Sequence, residues 1–296
     1  MIAGPSQSIP ELQTFWDKSR RRVEAELDRR LSAEGPESAR LFAAMRHAVL
    51  AGGKRLRPIL AIAAFESLNG HDEAIDSVAA ALEMLHTYSL VHDDLPCMDD
   101  DDQRRGRPTV HVAFDEATAV LAGDALHALA FEILARSAPP EVIVIVAQAV
   151  GPTRMVGGQM ADLAAEGQVP TEELVRRIHE RKTGALIVAS VTAGALLAGA
   201  GPGVVRLLES YAHPLGLAFQ IVDDVLELTR DAGQLGKPVG SDLKHAKVTY
   251  PAAVGMDAAR RKAGDLVHQA KQALQDYPGD AMTLQALADF IIDRDR

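Results

Sequence analysis

The 296-residue sequence is poor in cysteine, in aromatic residues and in positive charge. Cys97 is its only cysteine, so an internal disulfide framework is excluded and a reducing compartment such as the cytoplasm is indicated. Lys and Arg number 31 against 41 Asp and Glu, which gives a net charge of −10. A chain this acidic is a poor candidate for a general nucleic-acid-binding protein, so we expect no nucleic acid among its partners.

Aromatic residues make up only 4% of the chain, although 47% of its residues are hydrophobic. Ala, Leu and Val must therefore fill the core, and such a core favours helices that pack closely together. Runs of β-branched residues that alternate with polar ones, as sheets require, are scarce. No repeat, low-complexity tract or clear linker divides the chain, so we predict one all-α, bundle-like domain over residues 1–296.

Membrane-directing patterns are also missing. The first twelve residues lack a basic start followed by an apolar run, so no signal peptide is predicted there. Residues 184–205 carry no charge, but Gly201-Pro202-Gly203 leaves only about fourteen helical residues, too few to cross a bilayer. We interpret this stretch as a buried core helix and expect no stable membrane insertion.

The apolar residues recur mostly at intervals of three and four, which is typical of helices. Leu41 and Val49 share one face of a helix that is expected to end at Gly52-Gly53. A longer helix is expected to end at Asp94, because the residue before Pro96 avoids the helical region. Further helices are predicted from Pro58 to Asn69 and over roughly 115–136, 139–164, 171–199, 203–229, 251–276 and 281–293.

The strongest chemical signal is an acidic run at the end of that longer helix. Residues 93–102 contain six aspartates, beginning with Asp93-Asp94 and continuing from Asp99. A charge run is often only a solvated loop. Here, however, two carboxylates end an otherwise apolar helix, where the helix dipole is negative and a counter-charge is needed. A hard cation supplies that charge through carboxylate oxygens, and the spacing does not fit an EF-hand.

A second acidic cluster lies far along the chain, on a helix that is otherwise largely apolar. Gln220, Asp223, Asp224 and Glu227 are spaced so that they lie near one helical face. Two adjacent aspartates would be costly to bury without cations. A buried salt bridge to Lys or Arg remains an alternative to a metal site.

A cluster of three cations follows the first predicted helix in the sequence GGKRLRP, residues 52–58. Basic side chains beside a helix N-terminus form a suitable anion site. The spacing is not that of a phosphate-binding Walker loop. Taken alone, the cluster is equally compatible with an exposed basic turn.

These motifs together resemble the trans-prenyltransferases, the family of farnesyl and geranylgeranyl diphosphate synthases. DDLPCMD at 93–99 resembles the first aspartate-rich motif of the family, and DDVLE at 223–227 resembles the second, with Glu227 in place of the final Asp. GGKRLRP resembles the diphosphate-binding turn of the family. Further matches, in family order, are Lys182-Thr183-Gly184, Phe219-Gln220, Gly236-Lys237-Pro238 and Lys247.

The resemblance implies an isoprenoid-synthase-type helical bundle around a deep central cavity, and an enzyme that couples an allylic diphosphate to isopentenyl diphosphate. It implies three Mg²⁺ ions, with Asp93, Asp99 and Asp223 as ligands. It also implies supporting or water-mediated roles for Asp94, Asp224 and Glu227, and contacts of Arg104, Lys182, Lys247 and Lys237 with the allylic diphosphate.

The second substrate is not ionised, and the resemblance implies a metal-free site for it at Lys54, Arg57, His86 and Arg105. His86 precedes Asp93 by two helical turns, which is consistent with one cavity, although a lone His is more often a packed residue. Thr183 and Gln220 are expected to offer oxygen dipoles to the carbocation. The departing diphosphate is expected to take the final proton.

Tyr88 and Ser89 lie about one turn before Asp93 and are expected to form the cavity floor. By resemblance, an aromatic residue there implies farnesyl diphosphate as the product. Geranyl or geranylgeranyl diphosphate synthase, a terpene cyclase and a non-catalytic partner subunit are the alternatives. The resemblance also implies a cytoplasmic homodimer, with residues 115–136 or 184–205 as candidate pairing surfaces.

Overall fold

The computed structural model describes residues 8–33, 35–229 and 247–293. Helices dominate these ranges, which confirms the all-α prediction. The N-terminal half contains α1 (Ser8–Arg30), α2 (Ala39–Val49), α3 (Leu56–Ser67), α4 (Ala74–Asp93), a hairpin of β1 (Gln103–Arg104) and β2 (Arg107–Pro108), α5 (Val110–Ala113), α6 (Glu116–Ser137) and α7 (Pro140–Val150). The remainder contains α8 (Met155–Ala165), α9 (Glu172–His179), a π-helical segment (Glu180–Gly184), α10 (Ala185–Leu197), α11 (Pro202–Thr229), α12 (Tyr250–Val254), α13 (Met256–Gln272) and α14 (Met282–Asp293).

The two central helices are α3 and α10, which pack against each other and contribute to both apolar clusters of the core. On one side α4 packs against α6, and on the other side α11 packs against α13. The ends of α4 and α11 that carry the two acidic motifs therefore belong to opposite halves of the bundle. The core is rich in Ala, as the composition predicts, and the uncharged α10 is buried along most of its length.

Three helix predictions are wrong in detail. The expected helix over 139–164 is two helices, because Gly151-Pro152 follows α7 and interrupts the backbone hydrogen bonding. The expected helix over 251–276 breaks at Gly255, whose φ of 85° is unfavourable for other residues, and α13 ends at Gln272. The helical stretch over 171–199 contains the π-helical segment, which periodicity did not predict.

The N-terminal helix α1 was not predicted from the sequence. Its many Arg and Glu residues obscure a narrow apolar stripe, of which Val23, Leu27 and Leu31 are fully buried. Trp16 packs against Phe290 of α14, with ring centroids 4.6 Å apart, so α1 joins the two ends of the chain. The spacing of four between the buried residues was the signal that could have revealed it.

Among the described residues, α6 is the one helix whose length and hydropathy would allow it to span a bilayer. Its inner face, which includes Leu126 and Ile133, is buried against the rest of the bundle. Its outer face includes the exposed side chains of Val120 and Leu121.

The crossing of α3 and α10 depends on Gly194. A Cβ atom at this position would lie 2.1 Å from the backbone oxygen of Ala61, which no rotamer change can relieve. We expect Gly194→Ala to lower the free energy of unfolding by about 1–3 kcal/mol, because the two backbones must move apart. Chemical denaturation measures this change.

Gly264→Ala is the matched control, since Gly264 also lies within a helix but a Cβ there would meet nothing within 4 Å. Alanine is the better helix former by about 1 kcal/mol, so this variant should be as stable as the parent or more stable. Equal destabilisation by both variants would contradict the close-approach explanation.

Candidate active site

A cavity of about 660 Å³ lies between α4, α8, the π-helical segment and α11. Both acidic motifs and the basic turn contribute to its walls. The predicted site residues that line it are Lys54, Arg57, His86, Tyr88, Ser89, Asp93, Asp99, Arg104, Arg105, Lys182, Thr183, Gln220, Asp223, Asp224, Glu227 and Lys247. Asp94 is not among them, and Lys237 lies outside the described residues.

The first acidic motif folds back on itself where α4 ends. The backbone N–H of Asp99 donates to the carbonyl oxygen of Asp93 at 2.8 Å, so the Leu95–Met98 turn brings both carboxylates to the cavity wall. Burial raises the pKa of Asp93 to about 6, although Lys182 lowers it. Burial also acts on Asp99, but Lys247 and Lys182 outweigh it and hold the pKa of Asp99 below its usual value.

Asp94 points away from the cavity. Its Oδ1 accepts a hydrogen bond from Arg104 Nε at 2.6 Å, and Asp101 Oδ2 lies 3.5 Å from Arg104 Nη2. The structure therefore places Asp94 as an anchor for Arg104, beside the main cavity rather than in it. The six-aspartate run thus divides into cavity-lining, arginine-anchoring and exposed members.

In the second acidic motif, the two adjacent aspartates have different surroundings. Asp224 is buried, and it accepts hydrogen bonds from the backbone N–H of Tyr250 at 2.8 Å and from the amide of Gln220 at 3.2 Å. Burial raises the pKa of Asp224 to about 7. Asp223 is only partly buried on the cavity wall, so it is the better placed of the two to meet a ligand.

Two lysines lie between the motifs. Lys247 Nζ donates to Asp99 Oδ1 at 2.8 Å, and Lys182 Nζ donates to Asp162 Oδ2 at 2.7 Å. Although burial lowers it, the neighbouring carboxylates of Asp93 and Asp162 raise the pKa of Lys182 above its usual value. The ammonium group of Lys182 is therefore charged at neutral pH.

The π-helical segment brings Lys182 and Thr183 to the same cavity. Thr183 Oγ1 donates to Gln220 Oε1 at 2.8 Å, which joins this segment to α11. A Cβ at Gly158 would lie 2.3 Å from the backbone nitrogen of Lys182, so α8 contacts the segment without intervening side chains. Such π-helical interruptions are frequent at functional sites.

Lys54, Arg57 and Arg105, together with His86, form a basic wall of the cavity. Arg57 is buried, and burial lowers its pKa to about 10, partly offset by Glu83 and Asp223. Its Nε has no hydrogen-bond partner among the residues that the structure describes. Burial lowers the pKa of His86 well below its usual value, and the nearby Arg57 and Arg105 lower it further, so His86 is neutral.

Tyr88 lines the cavity with a side chain that is almost fully buried. Its ring packs edge-on against His127, with centroids 4.9 Å apart, and against His92 at 5.9 Å. Phe131 lies behind His127 at 5.0 Å. The ring of Tyr88 is therefore supported by His127 of α6, a contact that the sequence did not predict.

Sequence reasoning missed several polar residues of this cavity, chiefly Glu83, Asp162 and His179. His179 Nε2 lies 3.4 Å from Asp224 Oδ2. Each of the three is buried. Glu83 and Asp162 are isolated acids within apolar helical stretches, and that was the signal available.

Carboxylate oxygens suit Mg²⁺, and Asp93, Asp99 and Asp223 supply them from both walls. Among the described residues, no three Asp, Glu, His or Cys side chains lie close enough to hold an ion unaided. This fits Mg²⁺ bound by one or two carboxylates together with substrate phosphates, which is its usual arrangement in phosphate-handling enzymes.

Comparisons with known proteins agree with this geometry. The family model described as Polyprenyl synthetase matches residues 38–284. The chain is 48% identical over 264 residues to the farnesyl diphosphate synthase of Escherichia coli (strain K12), covering 85% of this chain and 88% of the relative. It is 43% identical over 298 residues to the geranylgeranyl diphosphate synthase of Cyanophora paradoxa, covering 98% and 99%.

A solved structure is also similar. It is the geranyltransferase of Helicobacter pylori complexed with magnesium and isoprenyl diphosphate, with a TM-score of 0.83 and 30% identity. The alignment covers 99% of this chain and 98% of that chain.

Proposed function

Because the chain belongs to the polyprenyl synthetase family and is a short-chain prenyltransferase, we propose that it condenses isopentenyl diphosphate with dimethylallyl or geranyl diphosphate to give farnesyl diphosphate. The observation that supports this most directly is the convergence of two acidic motifs and two lysines on one cavity that is also lined by Lys54, Arg57 and Arg105.

The allylic substrate is proposed to bind with its diphosphate between the acidic motifs. Asp93, Asp99 and Asp223 would hold three magnesium ions, whose charge stabilises the departing diphosphate. Lys182, Lys247 and Arg104 add fixed positive charge around the same group. These preorganised cations favour breakage of the allylic carbon–oxygen bond, because negative charge develops on the leaving oxygen.

Isopentenyl diphosphate is proposed to bind at Lys54, Arg57, His86 and Arg105. Binding there would leave its own carbon–oxygen bond intact, because these side chains bind a diphosphate by charge and hydrogen bonds, without a metal ion. Its double bond attacks the allylic cation, and the new cation then loses a proton to the departed diphosphate. The oxygen atoms of Thr183 and Gln220 would stabilise the passing positive charge.

The proposal of a farnesyl product depends on Tyr88, which lines the cavity and whose ring packs against His127. Relatives named for farnesyl and for geranylgeranyl synthesis are similarly close to this chain. Geranylgeranyl diphosphate is therefore the alternative product, and geranyl diphosphate a further one.

The proposed function is tested with purified protein, Mg²⁺, isopentenyl diphosphate and either dimethylallyl or geranyl diphosphate. Chromatography of the dephosphorylated products should show farnesol as the main alcohol, and excess chelator should abolish its formation until Mg²⁺ is restored. Geranylgeraniol as the main product would overturn the product assignment. No turnover by the homogeneous protein would favour the alternative of a non-catalytic partner subunit.

We also propose a cytoplasmic homodimer that pairs through α6. Val120 and Leu121 of this helix are 42% and 58% exposed, and Val144 of α7 and Met160 of α8 are exposed as well. The other candidate surface, residues 184–205, is not suitable, because α10 within it is largely buried in its own chain.

Leu121→Glu should convert the dimer into a monomer, since it places a charge in the centre of the apolar face. Light scattering after size-exclusion chromatography measures the mass. Val169→Glu is the control, because Val169 is 82% exposed on the loop between α8 and α9 and should leave the dimer intact. A monomeric parent protein would contradict the proposal.

A further inference from the structure

Glu83 is a buried carboxylate that none of the proposed chemical steps uses. It lies on α4, one turn before His86, and only 1% of its surface is exposed. Its Oε1 accepts a hydrogen bond from Arg55 Nη1 at 2.6 Å and lies 3.6 Å from Arg105 Nη2. It is therefore the central anion of the basic wall, and it lines the cavity there.

Glu83 connects two separate loops. Arg55 lies in the turn between α2 and α3, and Arg105 lies at the tip of the β1–β2 hairpin. Both residues have left-handed backbone conformations, with φ of 52° and 54°, which non-glycine residues adopt only when the surroundings stabilise them. The shared carboxylate of Glu83 is one such stabilising contact.

Further contacts make this connection specific. Arg55 Nη2 donates to the carbonyl oxygen of Val49 at 2.7 Å, and Arg105 Nη1 donates to that of Gly52. A Cβ at Gly53 would lie 2.7 Å from the guanidinium carbon of Arg105, so the absence of a side chain there lets Arg105 lie against the turn. The hairpin is thereby fastened to the turn that carries Lys54 and Arg57.

We infer that Glu83 is a positioning residue for the isopentenyl diphosphate site, where it holds Arg105 and the Arg55 turn in the geometry that binds the diphosphate. The inference rests on the proposed function. The guanidinium of Arg55 is hydrogen-bonded to Glu83 and to the carbonyl oxygen of Val49. The proposed contacts with the substrate diphosphate are therefore assigned to Lys54, Arg57 and Arg105. Glu83 also reduces the mutual repulsion of Arg55, Arg57 and Arg105, which would otherwise move apart.

The competing view is that Glu83 only weakens the positive field. Its removal would then strengthen diphosphate binding. The geometric effect should dominate, because Glu83→Gln removes the buried negative charge that Arg55 and Arg105 share and replaces one carboxylate oxygen with an amide donor. Small displacements of positioning groups have large effects on substrate use.

Steady-state kinetics of Glu83→Gln test the inference. We expect the KM for isopentenyl diphosphate to rise by about tenfold. The KM for geranyl diphosphate and kcat at saturating isopentenyl diphosphate should stay within about twofold of the parent values, because the acidic motifs are unchanged. A lower or unchanged KM for isopentenyl diphosphate would overturn the inference.

Glu66→Gln is the control, since Glu66 forms a 2.6 Å ion pair with Arg22 on the α1 side of α3, away from the cavity. It should lower stability at most and leave both KM values unchanged.

If Glu83→Gln does not fold, the double variant Glu83→Gln, Arg55→Gln removes both buried charges and restores folding. It should still show the raised KM for isopentenyl diphosphate, because Arg105 lacks its partner, and a parental KM in this variant would equally overturn the inference.

Failure of this inference can be distinguished from failure of the proposed function. Failure of the proposed function would appear as a parent protein without turnover. Failure of this inference would appear as an active parent protein whose Glu83 variants have the parental KM for isopentenyl diphosphate.

Discussion

Asp93→Asn is expected to lower kcat by about a thousandfold or more, because removing a preorganised charge from the leaving-group site weakens transition-state stabilisation directly. Asparagine has nearly the same volume as aspartate but lacks the negative charge that a magnesium ligand supplies here. Lys182 also loses one of the carboxylates that keep its ammonium group charged and in place. Product formation at saturating substrate and Mg²⁺ measures the effect.

Asp102→Asn is the matched control, because Asp102 belongs to the same acidic run but is exposed and does not line the cavity. Its kcat should equal that of the parent protein. Partial rescue of Asp93→Asn by a higher Mg²⁺ concentration would support a ligand role. Parental activity of Asp93→Asn at ordinary Mg²⁺ would exclude Asp93 from the metal site.

Tyr88→Ala is expected to change the main product from farnesyl diphosphate to geranylgeranyl diphosphate and longer chains. Truncating a buried tyrosine opens space at the end of the cavity where the growing chain would point. His127 and Phe131 lie behind the ring and remain in the variant, so the extension should be limited. Chromatography of the dephosphorylated products measures the chain length.

Tyr88→Phe controls for loss of the hydroxyl group. It keeps the ring and its edge-on contact with His127, so the product should stay farnesyl diphosphate. The same product profile from Tyr88→Ala as from the parent protein would refute the floor model. Loss of all turnover from Tyr88→Ala would also contradict the floor model, because this variant leaves the residues of both acidic motifs unchanged.

Much of the site could be predicted from the sequence, because its chemistry is concentrated in short motifs. The end of α4 at Asp93 was predicted to within one residue, and one turn of α11 carries Gln220, Asp223 and Asp224 together. Local spacing determines which of these residues share a face. It does not determine that Asp94 is tied to Arg104 beside the cavity, or that Asp224 is buried while Asp223 is only partly buried on the cavity wall.

Other residues of the site could not be predicted, since their partners are distant in the chain. Glu83 forms its ion pairs with Arg55 and Arg105, and Asp162 forms its ion pair with Lys182. An isolated acid in an apolar helix indicates a buried partner but does not identify it. The π-helical segment was likewise invisible, because α10, which follows it, is apolar on all sides and therefore shows no shift in its periodicity.

The sequence by itself determined the helical class, the ends of most helices and the chemical type of each motif, because these depend on local periodicity, turn residues and side-chain chemistry. Only the tertiary structure decided which motifs share a cavity and which acids are tied to arginines. It also decided that the ring of Tyr88 packs against His127 of α6. These properties depend on contacts between residues far apart in the chain, and they form only when the helices pack around α3 and α10.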